Sequence, residues 1–128
     1  MEWKYVKQLN NNPIIDIEKQ YNIKLSDNLK RIINKYNGGR PEKNIFNTDN
    51  NKQRVIKSLL SYNKTDKENI YMFTEIFDKG YIPVFITEFG DVISIKFNSE
   101  KVYIYLHEQD SFDYICEDIE KFIERLYI

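Results

Sequence analysis

His107 and Cys116 are the one histidine and the one cysteine among 128 residues, and together they hold the chemistry of a nucleophilic pair. Such a pair needs a thiol whose pKa is depressed by positive surroundings. Cys116 instead lies between Ile115 and Glu117, with Asp118 next, and acidic neighbours raise a thiol's pKa. The stronger reading of Cys116 is a small buried apolar side chain. One sulfur and one imidazole also fall short of a structural zinc site, so neither a metal nor another cofactor is expected. Glu117 and Asp118 are paired carboxylates, but acids at a helix start are favoured by the helix dipole in any protein. Gly38-Gly39-Arg40 follows a helical pattern, whereas a phosphate loop joins a strand to a helix. No catalytic residue is assigned, and the chain is not expected to be an enzyme.

Charge is the chemistry that remains. Residues 1–64 hold 13 Lys+Arg against 6 Asp+Glu, a balance of +7, and residues 65–128 hold 6 against 14, a balance of −8. Such a split can give two electrostatic faces, and solvated helices of mixed charge would use the same residues. The basic half interleaves Lys and Tyr. Its lysines are spread around amphipathic patterns and form no compact cluster, so direct nucleic-acid binding is not expected. The acids are denser. From Glu108 to Glu124 seven acids stand against one base, Lys121, and Glu88 and Asp91 sit on a hairpin turn that can join them. An acidic patch beside aromatic residues suits a basic protein partner, with charge steering association and aromatics anchoring it. Polar loops and a solvated helix face account for the same composition.

The elements that position these residues follow from periodicity. Asn12 and Pro13 suit an N-cap and first helical position, with Ile14, Ile17 and Tyr21 on one side. A second helix is expected after Ser26, where Leu29, Ile32, Ile33 and Tyr36 form an apolar stripe. Asn37-Gly38-Gly39 ends it and Pro41 blocks continuation. Asn44 to Asn51 reads as a short strand and a polar loop. Val55 to Tyr62 fits a strand or a helix equally. Asp66 reads as an N-cap for a helix burying Ile70, Phe73 and Phe77, closed by Gly80. Tyr81 to Asp110 then reads as three strands of a meander. The turns fall at Glu88-Phe89-Gly90-Asp91 and Asn98-Ser99-Glu100-Lys101. Ile93, Ile95 and Phe97 alternate with Val92, Ser94 and Lys96. Val102, Ile104 and Leu106 form a core face opposite Tyr103, Tyr105 and His107. Asp118 caps a last helix whose Ile119, Phe122, Ile123, Leu126 and Tyr127 close the core.

The predicted fold class is therefore α+β, a mostly antiparallel sheet with a C-terminal meander and helices packed against it. Its length fits one domain, residues 1–128, able to bury about two thirds of its unfolded surface without disulfides. A lone cysteine fits a reducing, cytoplasmic setting. No apolar run approaches the roughly 20 residues of a membrane span, and Met1-Glu2-Trp3-Lys4-Tyr5 shows no secretory signal.

An ordered series of segments resembles the SUKH superfamily, named in part for a yeast cell-wall synthesis regulator. Ile17-Glu18 through Leu25 resembles its opening helix and loop. Leu29 to Gly39, ending Lys35-Tyr36-Asn37-Gly38-Gly39, resembles its second helix with the glycine stop. Ile82-Pro83-Val84 is similar to its entry into the meander, and Glu88-Phe89-Gly90-Asp91-Val92-Ile93 to its acid-x-x-Gly-Asn/Asp turn. Val102-Tyr103 through His107-Glu108 resembles the third strand, and Ile119 to Leu126 the closing helix. Ile86-Thr87 and Ser94-Ile95 depart from residues that many members carry. The resemblance implies a helix-covered antiparallel sheet without catalysis. Many bacterial members are immunity proteins that bind a cognate toxin domain, often a nuclease, and neutralise it. It implies the same here, with an intracellular scaffold or regulator like the fungal branch as the alternative. A nuclease presents positive charge to hold phosphates, which an acidic protein face could occupy. The residues expected to bind the partner are Glu88, Asp91, Glu108, Asp110 and Asp113, supported by Tyr103 and Tyr105. The family resemblance also makes His107 a structural or interface residue at a strand end.

Overall fold

The computed structural model describes residues 1–48 and 52–128. Helix α1, Pro13–Tyr21, begins at the proline. Asn12 offers the backbone carbonyl to Asp16 N–H at 3.4 Å, but not its side chain. Helix α2, Asp27–Tyr36, is capped by Ser26, whose Oγ accepts from Leu29 N–H at 3.2 Å. Leu29, Ile32 and Ile33 on its inner stripe are buried, each contributing roughly 1.5–3 kcal/mol of transfer free energy.

A short ribbon follows. Strand β1, Trp3–Lys4, pairs with β2, Arg40–Pro41. Gly39 permits this approach, because a Cβ there would lie 2.7 Å from the Tyr36 carbonyl oxygen and 3.0 Å from a Val6 methyl. Trp3 stacks on Tyr36 with ring centroids 4.4 Å apart.

Six antiparallel strands make the main sheet in chain order: β3 Ile45–Asn47, β4 Gln53–Leu59, β5 Tyr81–Thr87, β6 Val92–Lys96, β7 Val102–Leu106 and β8 Ser111–Cys116. Of the run that fitted either element, Val55 to Leu59 are strand, where β-branched Val55 and Ile56 suit it, and Leu60 to Tyr62 lie beyond the strand. Part of the polar loop expected up to Asn51 lies outside the described residues. A 3-10 turn at Ile70–Phe73 leads into α3, Thr74–Asp78. The last helix, α4, is Ile119–Glu124, capped by the Asp118 carboxylate on Lys121 N–H at 2.9 Å. Phe85, Phe122, Ile56, Ile93, Ile104 and Leu29 lie at the centre of the core.

Four readings change. The meander has a fourth strand, β8, where expectation stopped at Asp110. Its sequence Ser-Phe-Asp-Tyr-Ile-Cys carries an acid on the face toward Ile104, which hides the alternation. Asp66 caps no helix, since its carboxylate accepts from Ser61 Oγ at 2.5 Å and from Asn63 Nδ2 at 3.0 Å. The closing helix ends earlier. Tyr127 leaves it, exposed, to exchange backbone hydrogen bonds with Ile45 at 2.9 and 3.0 Å. Finally, the second face of the meander is covered. Val92 and Ser94 are buried beneath aromatic rings, with Tyr81 stacked on Phe112 at 3.7 Å and Tyr103 edge-on to Tyr81 at 5.3 Å.

The charge asymmetry has a structural account. Arg31 pairs with Glu120, Arg40 with Glu88, Arg54 with Asp91 and Lys57 with Glu68. Four ion pairs thus join the basic half to the acidic half within the fold.

Candidate partner-binding site

One end of the sheet gathers the β5–β6 turn, the β7–β8 turn and the start of β4. The first turn is tight. Gly90 N–H donates to Thr87 C=O at 3.1 Å, and Asp91 C=O accepts from Thr87 N–H at 2.9 Å. Gly90 takes φ +91°, and a Cβ there would lie 3.4 Å from the His107 ring. Glycine is therefore favoured by conformation, while a Cβ would only reach van der Waals contact with the His107 ring. The residue before it, Phe89, is left 82 % exposed at the tip.

Asp91 holds this end together. Its Oδ2 accepts from Arg54 Nη1 at 2.6 Å. Its Oδ1 accepts from the His107 backbone N–H at 3.1 Å and lies 2.6 Å from His107 Nδ1. An ionised carboxylate only accepts, so Nδ1 carries the proton in this contact. Asp91 is buried, and its lone pairs are committed. Its place in the fold is that of a brace between strands β4, β6 and β7, which differs from the partner contact expected of it.

The other expected residues fall into two groups. Glu88 is within 3.5 Å of Arg40. Asp110 pairs with Lys79 and accepts from Tyr105 Oη at 2.6 Å. Tyr105 is itself only 6 % exposed, with its ring packed on Phe112, so it is no surface anchor. Tyr103 is half-buried. Glu108 and Asp113 are exposed and, among the described residues, have no ion-pair partner within 4.0 Å. The acids therefore do not make one continuous face.

Phe89 was not singled out as a contact, although a phenylalanine second in the four-residue turn Glu88-Phe89-Gly90-Asp91 has no core to enter. That pattern was visible. Around it runs a shallow depression lined by Lys52, Arg54, Leu106, His107 and Gln109. It continues into a larger groove of about 570 Å³, which shares Lys52, Arg54, Leu106 and Gln109 and adds Tyr103 and Asp113. One surface therefore runs from the Phe89 tip to the outer side of β8.

The candidate pair of His107 and Cys116 is not brought together by the fold. Val102 opposes Cys116 and Leu106 opposes Ser111, so His107 and Cys116 stand at opposite ends of one hairpin, about 15 Å apart at strand rise. Burial pushes the Cys116 thiol up from its ordinary pKa. Among the described residues, no three His, Cys, Asp or Glu side chains converge on a metal-sized site. No helix there is long and apolar enough to cross a membrane.

Comparison with curated proteins gives no match. A family model described as SMI1-KNR4 cell-wall matches residues 11–123. The match runs from before α1 into α4 and takes in every strand of the main sheet. The chain belongs to the SUKH superfamily, within its SMI1-KNR4 family.

Proposed function

We propose that the protein is an immunity protein that neutralises a cognate toxin by stoichiometric binding. The SUKH superfamily is one of immunity proteins, which supports a protein-binding role. The observation that carries the reading is Phe89, exposed on a turn whose base is held rigid by Asp91, Arg54 and His107. An aromatic anchor that is already ordered loses little freedom on binding, and such residues dominate interface energetics. Glu108, Asp113 and Tyr103 on the adjoining surface would meet a basic partner, such as the phosphate-binding site of a nuclease. A cytoplasmic location goes with that role.

The test is co-expression with a toxin-domain gene encoded beside this one. Protection of the host and a one-to-one complex on size exclusion are expected, with Phe89→Ala weakening the complex by about tenfold or more. Absence of both protection and complex would sink the reading. A scaffold or regulator is the second reading, favoured by the family's cell-wall description. It predicts binding to host proteins and no protection.

A further inference from the structure

Among the described residues, strand β8 ends the sheet and pairs only with β7. Its sides are unlike. Phe112 and Tyr114 stand with Tyr103 on one face, while Asp113 stands opposite Ile104 on the other. The groove of about 570 Å³ lies along this strand. Thr48, Lys52 and Arg54 form the wall across from it, and Ile104, Leu106 and Ile115 give it an apolar floor around Asp113. Arg54 is already held by Asp91 at 2.6 Å. The strand's one described outward contact is a long one, from Arg125 Nη1 to Ile115 C=O at 3.4 Å.

An open strand edge is a template for another strand. The choice of occupant follows from Asp113. In the antiparallel pairings of two copies that overlap most of β8 and keep matching faces together, the two Asp113 side chains lie opposite or diagonal to each other, and like charges there oppose pairing. The same aspartate, exposed and without an ion-pair partner within 4.0 Å among the described residues, favours a strand that places a cation beside it.

We infer that β8 is a docking edge for an extended segment of a protein partner, one with a Lys or Arg flanked at alternate positions by apolar residues. The segment extends the sheet by backbone hydrogen bonds. Its apolar side chains enter the groove toward Ile104, Leu106 and Ile115, and its cation meets Asp113. The inference rests on the immunity reading only for the identity of the donor, the toxin.

The probe is an acetylated, amidated seven-residue peptide with a central lysine, valines two residues to either side and threonines elsewhere. Titrated into the isotope-labelled chain, it should shift the β8 amide resonances and slow their exchange. Replacing its lysine by glutamate should weaken binding roughly two- to fivefold, and Asp113→Lys should invert that preference. N-methylation along one peptide edge should abolish binding, and along the other leave it intact. Unchanged β8 amides at millimolar peptide, equal binding of both peptides, or a free chain that dimerises through β8 would each overturn the inference. The toxin supplies an independent arm. If it binds while β8 amides exchange as in the free chain, the docking edge is wrong and the immunity reading stands. If it fails to bind while the lysine peptide protects β8, the edge stands and the immunity reading falls.

Discussion

His107 Nδ1 lies 2.6 Å from Asp91 Oδ1, across the base of the turn that presents Phe89. The same carboxylate holds Arg54, whose side chain is only 16 % exposed. Asp91→Ala would leave that guanidinium without its counter-charge. A loss of about 3 kcal/mol is expected in urea unfolding. His107→Ala, which removes the more exposed partner, should cost well under half of that. Equal losses would show that the imidazole, not the guanidinium, is the main support.

Asn37 makes a second prediction. It is buried, and its Nδ2 donates to Lys7 C=O at 3.2 Å and to Ser61 Oγ at 3.1 Å. Its Oδ1 accepts from Tyr62 N–H at 2.8 Å. Ser61 in turn donates to Asp66, and Asn63 binds Gln8 C=O and Asn10 N–H, each at 2.8 Å. Every donor and acceptor of Asn37 is used, so Asn37→Ala should destabilise by about 3 kcal/mol. Amide exchange over residues 7–10 should rise more than in β6. Uniform acceleration would mean that the network supports the whole core rather than the N-terminal segment.

Tyr62 presents the opposite case. Its hydroxyl is buried and, among the described residues, has no hydrogen-bond partner. Tyr62→Phe removes an unsatisfied polar atom and keeps the ring. Stability should stay constant or rise by about 1 kcal/mol. A loss beyond about 1 kcal/mol would reveal a partner for that oxygen in solution.

Alkaline pH should separate this protein from a mixture of its amino acids. Desolvation by burial raises the pKa of Tyr62 above the ordinary 10.0, and raises Tyr21, Tyr71 and Tyr81 in the same direction. A tyrosine raised in the folded state contributes stability that is fully present below its unfolded pKa. That stability is lost as pH climbs through the folded value. The melting temperature should therefore fall as pH rises above about 10. Tyrosinate absorbance at 295 nm should lag behind free tyrosine, then complete together with the loss of far-ultraviolet ellipticity. Full ionisation of a still-folded chain would contradict the burial of Tyr62.

The helices and most of the meander were legible in the residues. Leu29, Ile32 and Ile33 state the period of α2 without ambiguity, and Ser26 states its start. Strand β8 was not legible, because Asp113 and Ser111 occupy the face toward Ile104 at a sheet edge, where water reaches them. The brace was hidden for another reason. Arg54, Asp91 and His107 are far apart in sequence, and only the curl of the sheet brings them together. Composition counted Asp91 among the surface acids, although its exposure is 7 %. Tyr105 was misplaced likewise, since aromatic rings from β5 and β8 cover a face that strand alternation alone leaves open.

The hydrogen bonds between Ile45 and Tyr127 have a consequence for how the protein is made. Strands β4 to β8 each pair with a chain neighbour, so these pairings can form as the chain leaves the ribosome. Strand β3 cannot be finished in that way. Its outer edge stays bare until residue 127 has emerged, some seconds later at ordinary rates of synthesis. During that interval the nascent chain offers two open edges, and both invite pairing with other nascent chains. The pairing of Tyr127 with Ile45 closes one of them.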